Sequence, residues 1–209
     1  MSNAIPDYGY KTATLGYSGS YLAPVVRKIA SSLGEQSRQR AFDLGCGNGA
    51  MANMLSELGF DCTGVDPSES GIAVARQAFP NCTFDIGGAY EDLATKYGRF
   101  DLVISLEVVE HCYSPRQFAS TLFDLVAPGG IAVVSTPYHG YLKNLALAAT
   151  GKLDRHFTAL WEGGHIKFFS MDTLGRLLTE AGFDKVEFER VGRVPVLAKS
   201  MIAVARKSP

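Results

Sequence analysis

Apolar residues recur along this chain with two different periods, and the two periods alternate. Short apolar runs predict β-strands at 40–44, 62–66 and 83–86, and apolar residues at helical spacing predict helices over 48–58 and 68–78 between them. A helix before the first strand is predicted by the same spacing of Leu22, Val25, Ile29 and Leu33. Strands that alternate with helices build a parallel sheet covered on both faces. The chain is therefore predicted to be an α/β protein.

The second half of the chain continues this alternation and then changes it. Ser114 followed by Pro115 predicts the start of one helix, and Ser170 predicts the start of another. After that helix, residues 186–191 alternate in polarity, and an apolar run at 195–204 can pair with them. We therefore expect the sheet to close with an antiparallel hairpin, which a plain dinucleotide-binding fold would not have.

One connection is too long for a compact α/β unit. Residues 137–169 follow the fifth predicted strand, whereas loops in such units are usually about two to six residues long. This insertion is predicted to form a helix at 141–149. It concentrates aromatic and histidine side chains, namely Tyr138, His139, Tyr141, His156, Trp161, His165, Phe168 and Phe169. Two interpretations fit equally well: the insertion forms part of a substrate site, or it is a hydrophobic cluster that covers one edge of the sheet.

The start of the chain has a similar aromatic cluster, made of Tyr8, Tyr10, Tyr17 and Tyr21. Residues 1–36 are thus predicted to form a helix and a cover that closes the opposite side of the site. A chain of 209 residues with 46% hydrophobic residues can bury one sizeable core. Residues 1–209 are therefore predicted to form a single domain.

Charge and cysteine content restrict the partners and the compartment. The chain has 20 basic and 21 acidic residues with a net charge of -1, well mixed, which counts against a nucleic-acid partner. Its four cysteines form no C-x-x-C pair, as expected of reduced intracellular thiols. No apolar run approaches the roughly 18 residues of a membrane span, and no secretory leader opens the chain. We predict a cytoplasmic protein without a transmembrane segment, and the oligomeric state stays open.

The first candidate site lies at the end of the first predicted strand, where residues 42–49 read FDLGCGNG. Gly45 and Gly47 allow a tight turn and a close approach of the backbone to a ligand. The helix that follows points free N–H groups at a ligand carboxylate. Asp66 ends the second strand, 23 positions after Asp43, and is placed to accept hydrogen bonds from both hydroxyls of a ribose.

The spacing of this turn leaves two ligands open. The arrangement Gly45-x-Gly47-x-x-Ala50 satisfies a loose dinucleotide pattern, which NAD would fit. Asp43 argues against NAD, because a carboxylate two residues before the first glycine would repel a pyrophosphate and attract an ammonium group. S-adenosylmethionine has that ammonium, a carboxylate for the helix N-terminus and a ribose for Asp66.

On these residues the chain resembles the class I S-adenosylmethionine-dependent methyltransferases. Their first motif is similar to FDLGCGNG, and residues 100–107 and 125–134 resemble their fourth strand and their fifth strand with its preceding turn. The resemblance covers roughly residues 40–136. It implies a Rossmann-like seven-stranded sheet in the order 3-2-1-4-5-7-6, with the last strand antiparallel and helices on both faces.

The resemblance also implies the cofactor, S-adenosylmethionine, and its product, S-adenosylhomocysteine. Besides the residues of the turn and Asp66, it implies cofactor contacts from Cys46, Pro67, Ala89 and Leu106. The chain departs from the family after the third strand. There the family usually has an acid that contacts the adenine amino group, whereas residues 87–90 read GGAY.

A second candidate site follows the fourth strand, where residues 107–111 read EVVEH. On a short helix, Glu107 would face Glu110 and His111 at positions i+3 and i+4. Two catalytic roles are open: His111 can act alone as a general base, or the three residues and His165 can hold a divalent metal that lowers the pKa of a substrate hydroxyl. We favour the first, because acid and histidine clusters at this spacing are common without a metal.

This second stretch resembles two branches of the family. One is the ubiquinone-biosynthesis O-methyltransferases, and the other is the small-RNA 3′-terminal ribose methyltransferases; members of both are thought to use such residues with a metal. We therefore expect a methyltransferase that acts on a hydroxyl of a small, phenol- or catechol-like molecule. Three alternatives stay open: a metal-dependent RNA ribose methyltransferase, a module that binds S-adenosylmethionine without catalysis, and an NAD-linked oxidoreductase. The missing basic face counts against RNA.

Overall fold

A seven-stranded sheet forms the centre of the protein. The computed structural model describes residues 7–34, 39–157 and 159–209. The strands are β1 (Arg40–Leu44), β2 (Asp61–Asp66), β3 (Thr83–Ile86), β4 (Phe100–Leu106), β5 (Val126–Pro137), β6 (Lys185–Val191) and β7 (Ser200–Arg206). Their order is β3-β2-β1-β4-β5-β7-β6, and β7 is antiparallel to both of its neighbours. The predicted fold class and strand order are confirmed.

Eight helices surround this sheet in the described residues. They are α1 (Tyr17–Ser31), α2 (Ala50–Ser56), α3 (Glu69–Ala78), α4 (Leu93–Tyr97), α5 (Pro115–Leu125), α6 (Tyr141–Ala149), α7 (Leu153–Phe157) and α8 (Met171–Glu180). Ser68 caps α3 by accepting from the Gly71 amide, and Ser170 caps α8 by accepting from Thr173. Ser114 holds the predicted position before α5, but its side chain makes no capping hydrogen bond.

Successive side chains along each strand point to opposite faces of the sheet, and they pack into two cores, one on each face. In β1, Phe42 packs with α4, α5 and α8, whereas Ala41 packs with α1, α2 and α3. In β4, Val103 and Ile104 divide between the same two cores. Both faces are therefore covered, and the carboxyl ends of the strands are left as the place for a site.

Two predicted elements differ from the structure in extent. The returning apolar run was expected to pair from residue 195, but β7 begins at Ser200, opposite Pro137 of β5. Pro195 cannot donate to a strand ladder, and Pro195–Leu197 form a 3-10 turn instead. The helix predicted at 48–58 is shortened to α2, because Gly49 precedes it with a left-handed backbone.

Two segments cross the carboxyl edge of the sheet. Residues 7–16 run past the glycine turn, and the insertion at 137–169 supplies α6 and α7 on the other side. Parts of the predicted 1–36 segment, residues 1–6 and 35–36, lie outside the described residues. Within the ranges that the structure describes, no helix is long and apolar enough to cross a membrane.

Candidate active site

The glycine turn after β1 has the backbone that the sequence predicts. Gly45 and Gly47 adopt φ values of 84° and 52°, in the left-handed region that favours glycine. A Cβ on Gly45 would collide with the Val108 side chain. A Cβ on Gly47 would lie 2.6 Å from the Tyr10 hydroxyl oxygen. A side chain at either position would therefore collide with a residue packed against the turn.

A cavity of about 310 Å³ opens beside this turn, and Asp43 lines it. The side chain of Asp43 is 3% exposed, and its Oδ2 atom has no hydrogen-bond partner among the described residues. Burial, followed by the nearby charge of Asp66, raises the pKa of Asp43 to about 8. An unpartnered buried carboxyl group is costly, and an ammonium group in the cavity would supply the missing partner.

Asp66 is held rigidly at the end of β2. Its Oδ2 accepts from the Gly47 amide and its Oδ1 from the Ser68 amide, each at 2.8 Å. Burial raises the pKa of Asp66, while these two backbone hydrogen bonds lower it. Each carboxylate oxygen keeps one lone pair, which is the capacity needed to accept from two ribose hydroxyls.

Replacing Asp66 with Asn tests this ribose contact. The amide keeps one acceptor oxygen and loses the negative charge, so we expect S-adenosylhomocysteine to bind about tenfold more weakly, the loss of one charge-assisted hydrogen bond. Isothermal titration calorimetry measures the change. Asp61→Asn, at the exposed opposite end of β2, is the control. Unchanged affinity in Asp66→Asn would remove the carboxylate from the cofactor site.

The other predicted cofactor residues are spread around the turn. Cys46 and Leu106 line the 310 Å³ cavity with Asp43, Gly45 and Gly47. Pro67 is exposed beyond β2, and Ala89 packs against one of the two cores. The sequence did not point to Glu91, whose Oε1 accepts from the Gly88 amide at 2.6 Å. An acid therefore does follow β3, at the position directly after residues 87–90.

The helix predicted over residues 107–111 does not form as one element. Only Val109–His111 are helical, as one 3-10 turn, and Glu107 has a left-handed backbone with a φ of 58°. The Glu107 amide donates to Ser135, and the Ser135 hydroxyl donates to the Glu107 carboxylate at 2.8 Å. The expected single helical face with Glu107, Glu110 and His111 is therefore wrong, because bonds to β5 hold Glu107 at the end of the sheet.

His111 is oriented by the long insertion. Its Nδ1 lies 2.8 Å from the carbonyl oxygen of Gly163, so Nδ1 carries the proton and Nε2 has the free lone pair. Burial lowers the pKa of His111, while the hydrogen bonds to Gly163 and Gly164 raise it. The ring is thus neutral at pH 7 and able to accept a proton.

His165 approaches His111, as the sequence hypothesis required. Their ring centroids are 4.9 Å apart, and the His165 Nε2 is 3.9 Å from the Glu110 Oε1. The amides of Ile166 and Lys167 both donate to the Glu110 carbonyl, which ties the insertion to this turn. Glu110, His111 and His165 offer ligand atoms that all lie within 4.8 Å of one another.

Glu110 is not at the mouth of the site, where the helical interpretation placed it. Its side chain is fully buried, and neither carboxylate oxygen has a hydrogen-bond partner among the described residues. Burial and the neighbouring Glu107 raise the pKa of Glu110 well above its usual range. This carboxyl group therefore lacks a counter-charge among the described residues.

Tyrosines from the start of the chain cover both sites. The Tyr10 amide donates to Ser70, and its ring lies over Gly47. The Tyr8 hydroxyl donates to the Gly163 carbonyl at 3.1 Å, and its ring is edge-on to His111. The predicted N-terminal cover thus connects the glycine turn with the insertion.

Comparison with known sequences decides the family. A family model described as a methyltransferase domain matches residues 19–187, which include the glycine turn, Asp66 and His111. The chain belongs to this family. The predicted resemblance to S-adenosylmethionine-dependent methyltransferases is thereby confirmed.

Several similar proteins are named ubiquinone biosynthesis O-methyltransferase. The chain is 32% identical over 189 residues to a ubiquinone biosynthesis O-methyltransferase of Azorhizobium caulinodans. The aligned region covers 87% of this chain and 73% of the relative. The chain is also 40% identical over 116 residues to a ubiquinone biosynthesis O-methyltransferase of Caulobacter sp. (strain K31). That aligned region covers 54% of this chain and 46% of the relative. The chain thus spans less than half of the Caulobacter protein.

A solved structure shows the same fold. Magnesium protoporphyrin IX methyltransferase from Synechocystis PCC 6803, determined with bound SAH, superposes with a TM-score of 0.67 at 23% identity. The match covers 90% of this chain and 84% of that one. The chain therefore shares its fold with that methyltransferase.

Proposed function

We propose that this protein transfers a methyl group from S-adenosylmethionine to a hydroxyl group of a small molecule of the phenol or catechol type. The unpartnered Oδ2 of Asp43, buried in a cavity beside a glycine turn, is the observation that carries the proposal. The names of the relatives favour a small-molecule acceptor over RNA. We further propose that the protein works in the cytoplasm, for which its four free cysteines are the support.

The residues around the turn fit S-adenosylmethionine. Asp43 would pair with the ammonium group, Asp66 would accept from the ribose, and Leu106 would line the adenosine. When bound, S-adenosylmethionine would supply an electrophilic methyl group on its sulfonium, whose sulfur would leave as a neutral thioether with the electron pair of the broken C–S bond. The chain therefore needs no nucleophile of its own, and its residues have to align the acceptor and exclude water.

His111 is proposed as the base that removes the proton of the acceptor hydroxyl. Its neutral ring donates from Nδ1 to Gly163, which leaves the Nε2 lone pair for that proton. Tyr8 and Trp161 flank the ring edge-on, at centroid distances of 6.2 Å each.

Turnover with a panel of phenols and catechols tests the proposal. We expect S-adenosylhomocysteine and a methylated product of the acceptor, both detected by mass spectrometry, and no product without the acceptor. A module that only binds the cofactor would bind S-adenosylhomocysteine and form no product with any acceptor. An oxidoreductase would bind NADH and not S-adenosylhomocysteine in parallel calorimetric titrations.

A bound divalent metal is a second candidate for the activation of the acceptor. Its support is the clustering of Glu110, His111 and His165, whose carboxylate and imidazole donors suit such an ion. The buried carboxyl group of Glu110, without a partner, would gain one. When bound, the metal would supply a positive charge that lowers the pKa of a substrate hydroxyl.

Chelation separates the two candidates. If His111 acts alone, dialysis against EDTA should leave the rate of methyl transfer unchanged, because the hydrogen bond to Gly163 positions the ring without a metal. If a metal is required, the rate should fall to background and return with Mg²⁺, Mn²⁺ or Zn²⁺. We expect the first result, and binding of S-adenosylhomocysteine before and after dialysis is the control for folding.

A further inference from the structure

A second cavity lies next to the cofactor cavity. Its volume is about 460 Å³, within the range of small-ligand sites, which is about 300–1,000 Å³. The start of α1 separates the two cavities, because Tyr17 lines the larger one while Ser18 and Gly19 line the smaller one. We call the larger space the basic cavity, because its walls include Lys143, Lys152, His156, Arg193 and Lys199.

The lining of the basic cavity carries charge of one sign. None of its lining residues in the described part of the chain is acidic. In the whole chain, by contrast, 20 basic residues are balanced by 21 acidic ones. Cations gathered from two separate stretches of the sequence, 143–152 and 193–199, around a concave surface are expected to attract an anionic ligand.

The cations are positioned by other groups. Lys143 Nζ donates to the carbonyls of Tyr138 and Ala198, at 2.8 and 3.2 Å, which leaves one N–H of its three. Lys199 Nζ lies 4.2 Å from the centre of the Tyr17 ring, at cation–π distance. Two cations of the basic cavity, Lys143 and Lys199, are therefore held in place.

Apolar side chains complete the walls of the basic cavity. Ala146 and Leu147 of α6 lie on one side, and Leu197 and Ala198 come from the segment before β7. Such walls suit a flat hydrocarbon ring, whereas the lysines and Arg193 suit a carboxylate, which a guanidinium can bind through two parallel hydrogen bonds.

The basic cavity also borders the candidate catalytic residue Glu107. Burial raises the pKa of Glu107, whereas hydrogen bonds to Ser135 and Ser200 and the charge of Lys143, in the cavity wall, lower it. Lys199 precedes Ser200, whose hydroxyl is 2.9 Å from that of Tyr21. His156, in its wall, has its ring centroid 5.8 Å from that of His139, which follows β5 by two residues. A molecule seated there would extend toward the carboxyl ends of β4 and β5.

We propose that the basic cavity binds the carboxylate of the methyl acceptor, so that the substrates of this protein are hydroxylated aromatic acids. This inference rests on the proposed methyltransferase function and narrows its substrate class. It makes Arg193 and Lys199 determinants of acceptor specificity. Asp43 in turn binds the cofactor, and His111 accepts the proton of the acceptor hydroxyl.

Binding in the presence of S-adenosylhomocysteine tests the inference without turnover. 3,4-Dihydroxybenzoate and its methyl ester, which differ in one negative charge, are titrated calorimetrically into the protein saturated with S-adenosylhomocysteine. We expect the acid to bind about 10- to 100-fold more tightly than the ester, the effect of a charge-assisted hydrogen bond. The double variant Arg193→Gln/Lys199→Gln should abolish this preference. The control variant Lys28→Gln/Lys185→Gln, with two exposed lysines changed outside the cavity, should keep it.

Other outcomes would overturn the inference. These are equal binding of acid and ester, no binding of the acid, an unchanged preference in the double variant, or binding of inorganic phosphate or a short single-stranded RNA in place of the acid. The thermal midpoint of each variant shows that it is folded. Failure of the proposed function has a different signature: the preference for the acid persists, but no hydroxylated acceptor yields S-adenosylhomocysteine from S-adenosylmethionine.

Discussion

Replacing Asp43 with Asn is expected to weaken the binding of S-adenosylmethionine by about two orders of magnitude. The carboxyl group is buried, and its Oδ2 has no partner within the described residues, so the ligand ammonium would be its counter-charge. Removing one member of a buried ion pair costs about 3–5 kcal/mol, and the lower end already corresponds to more than 100-fold in affinity. Calorimetric titration of the wild type and the variant measures the loss.

The raised pKa of Asp43 leads to a second expected result, the release of a proton when the ligand binds. With a pKa of about 8, the carboxyl group is mostly protonated at pH 7 in the ligand-free protein. Pairing with the ammonium requires the ionised form, so binding at pH 7 should release close to one proton. Affinity should therefore rise with pH up to about 8 and then level off, until the ligand ammonium itself loses its proton.

Buffers of different ionisation enthalpy detect the released proton. The observed binding enthalpy at pH 7 should depend on the buffer for the wild type and not for Asp43→Asn. Asp101→Asn, on β4 away from the cavity, is a suitable control, because Asn keeps an oxygen that can accept from the Arg40 amide. Equal affinities and equal proton release in wild type and Asp43→Asn would show that the ammonium binds elsewhere.

The sequence predicts best those parts of the fold that local rules determine. The limits of β1 and β3 agree with the structure, because glycines and polar turns bound these short apolar runs. The glycine turn was also recognised, since its left-handed positions at Gly45 and Gly47 leave a direct mark in the sequence. The sheet order, in contrast, came from the family resemblance and is now confirmed by the structure.

Long-range contacts account for what the sequence misplaced. Spacing alone put Glu107 on a helical face, but its bonds to Ser135 belong to a neighbouring strand 28 positions away. The orientation of His111 depends on the Gly163 carbonyl, which no local pattern connects with it. Similarly, the cations of the basic cavity form no run in the sequence, so only the folded chain reveals them.

The agreement over His165 has a different basis. The sequence offered it as a partner of His111 because it is a histidine in an insertion beside the carboxyl edge. The structure brings the two rings to 4.9 Å. Two amides from the same insertion donate to the carbonyl of Glu110, and these backbone bonds place His165. The structure thus shows that the two rings are close, and the catalytic role of His165 stays a prediction.

Replacing His111 with Ala is expected to lower the turnover number by about 10²–10⁴-fold, the usual contribution of a general base. Affinity for S-adenosylhomocysteine should stay nearly unchanged, because His111 does not line the cofactor cavity. Steady-state kinetics with the best acceptor of the panel and calorimetry with S-adenosylhomocysteine separate the two quantities. Tyr113→Ala, which alters an exposed residue two positions later, is the control.

The pH profile distinguishes a base from a merely structural histidine. Burial lowers the pKa of His111 below its ordinary value of 6.5, and only the neutral ring can accept the proton of the acceptor. The ratio kcat/KM should therefore be constant near neutral pH and fall as the pH drops through the lowered pKa of His111. In His111→Ala this acidic limb should disappear from the residual activity. A variant with full activity, or one that keeps the same limb, would show that another group takes the proton.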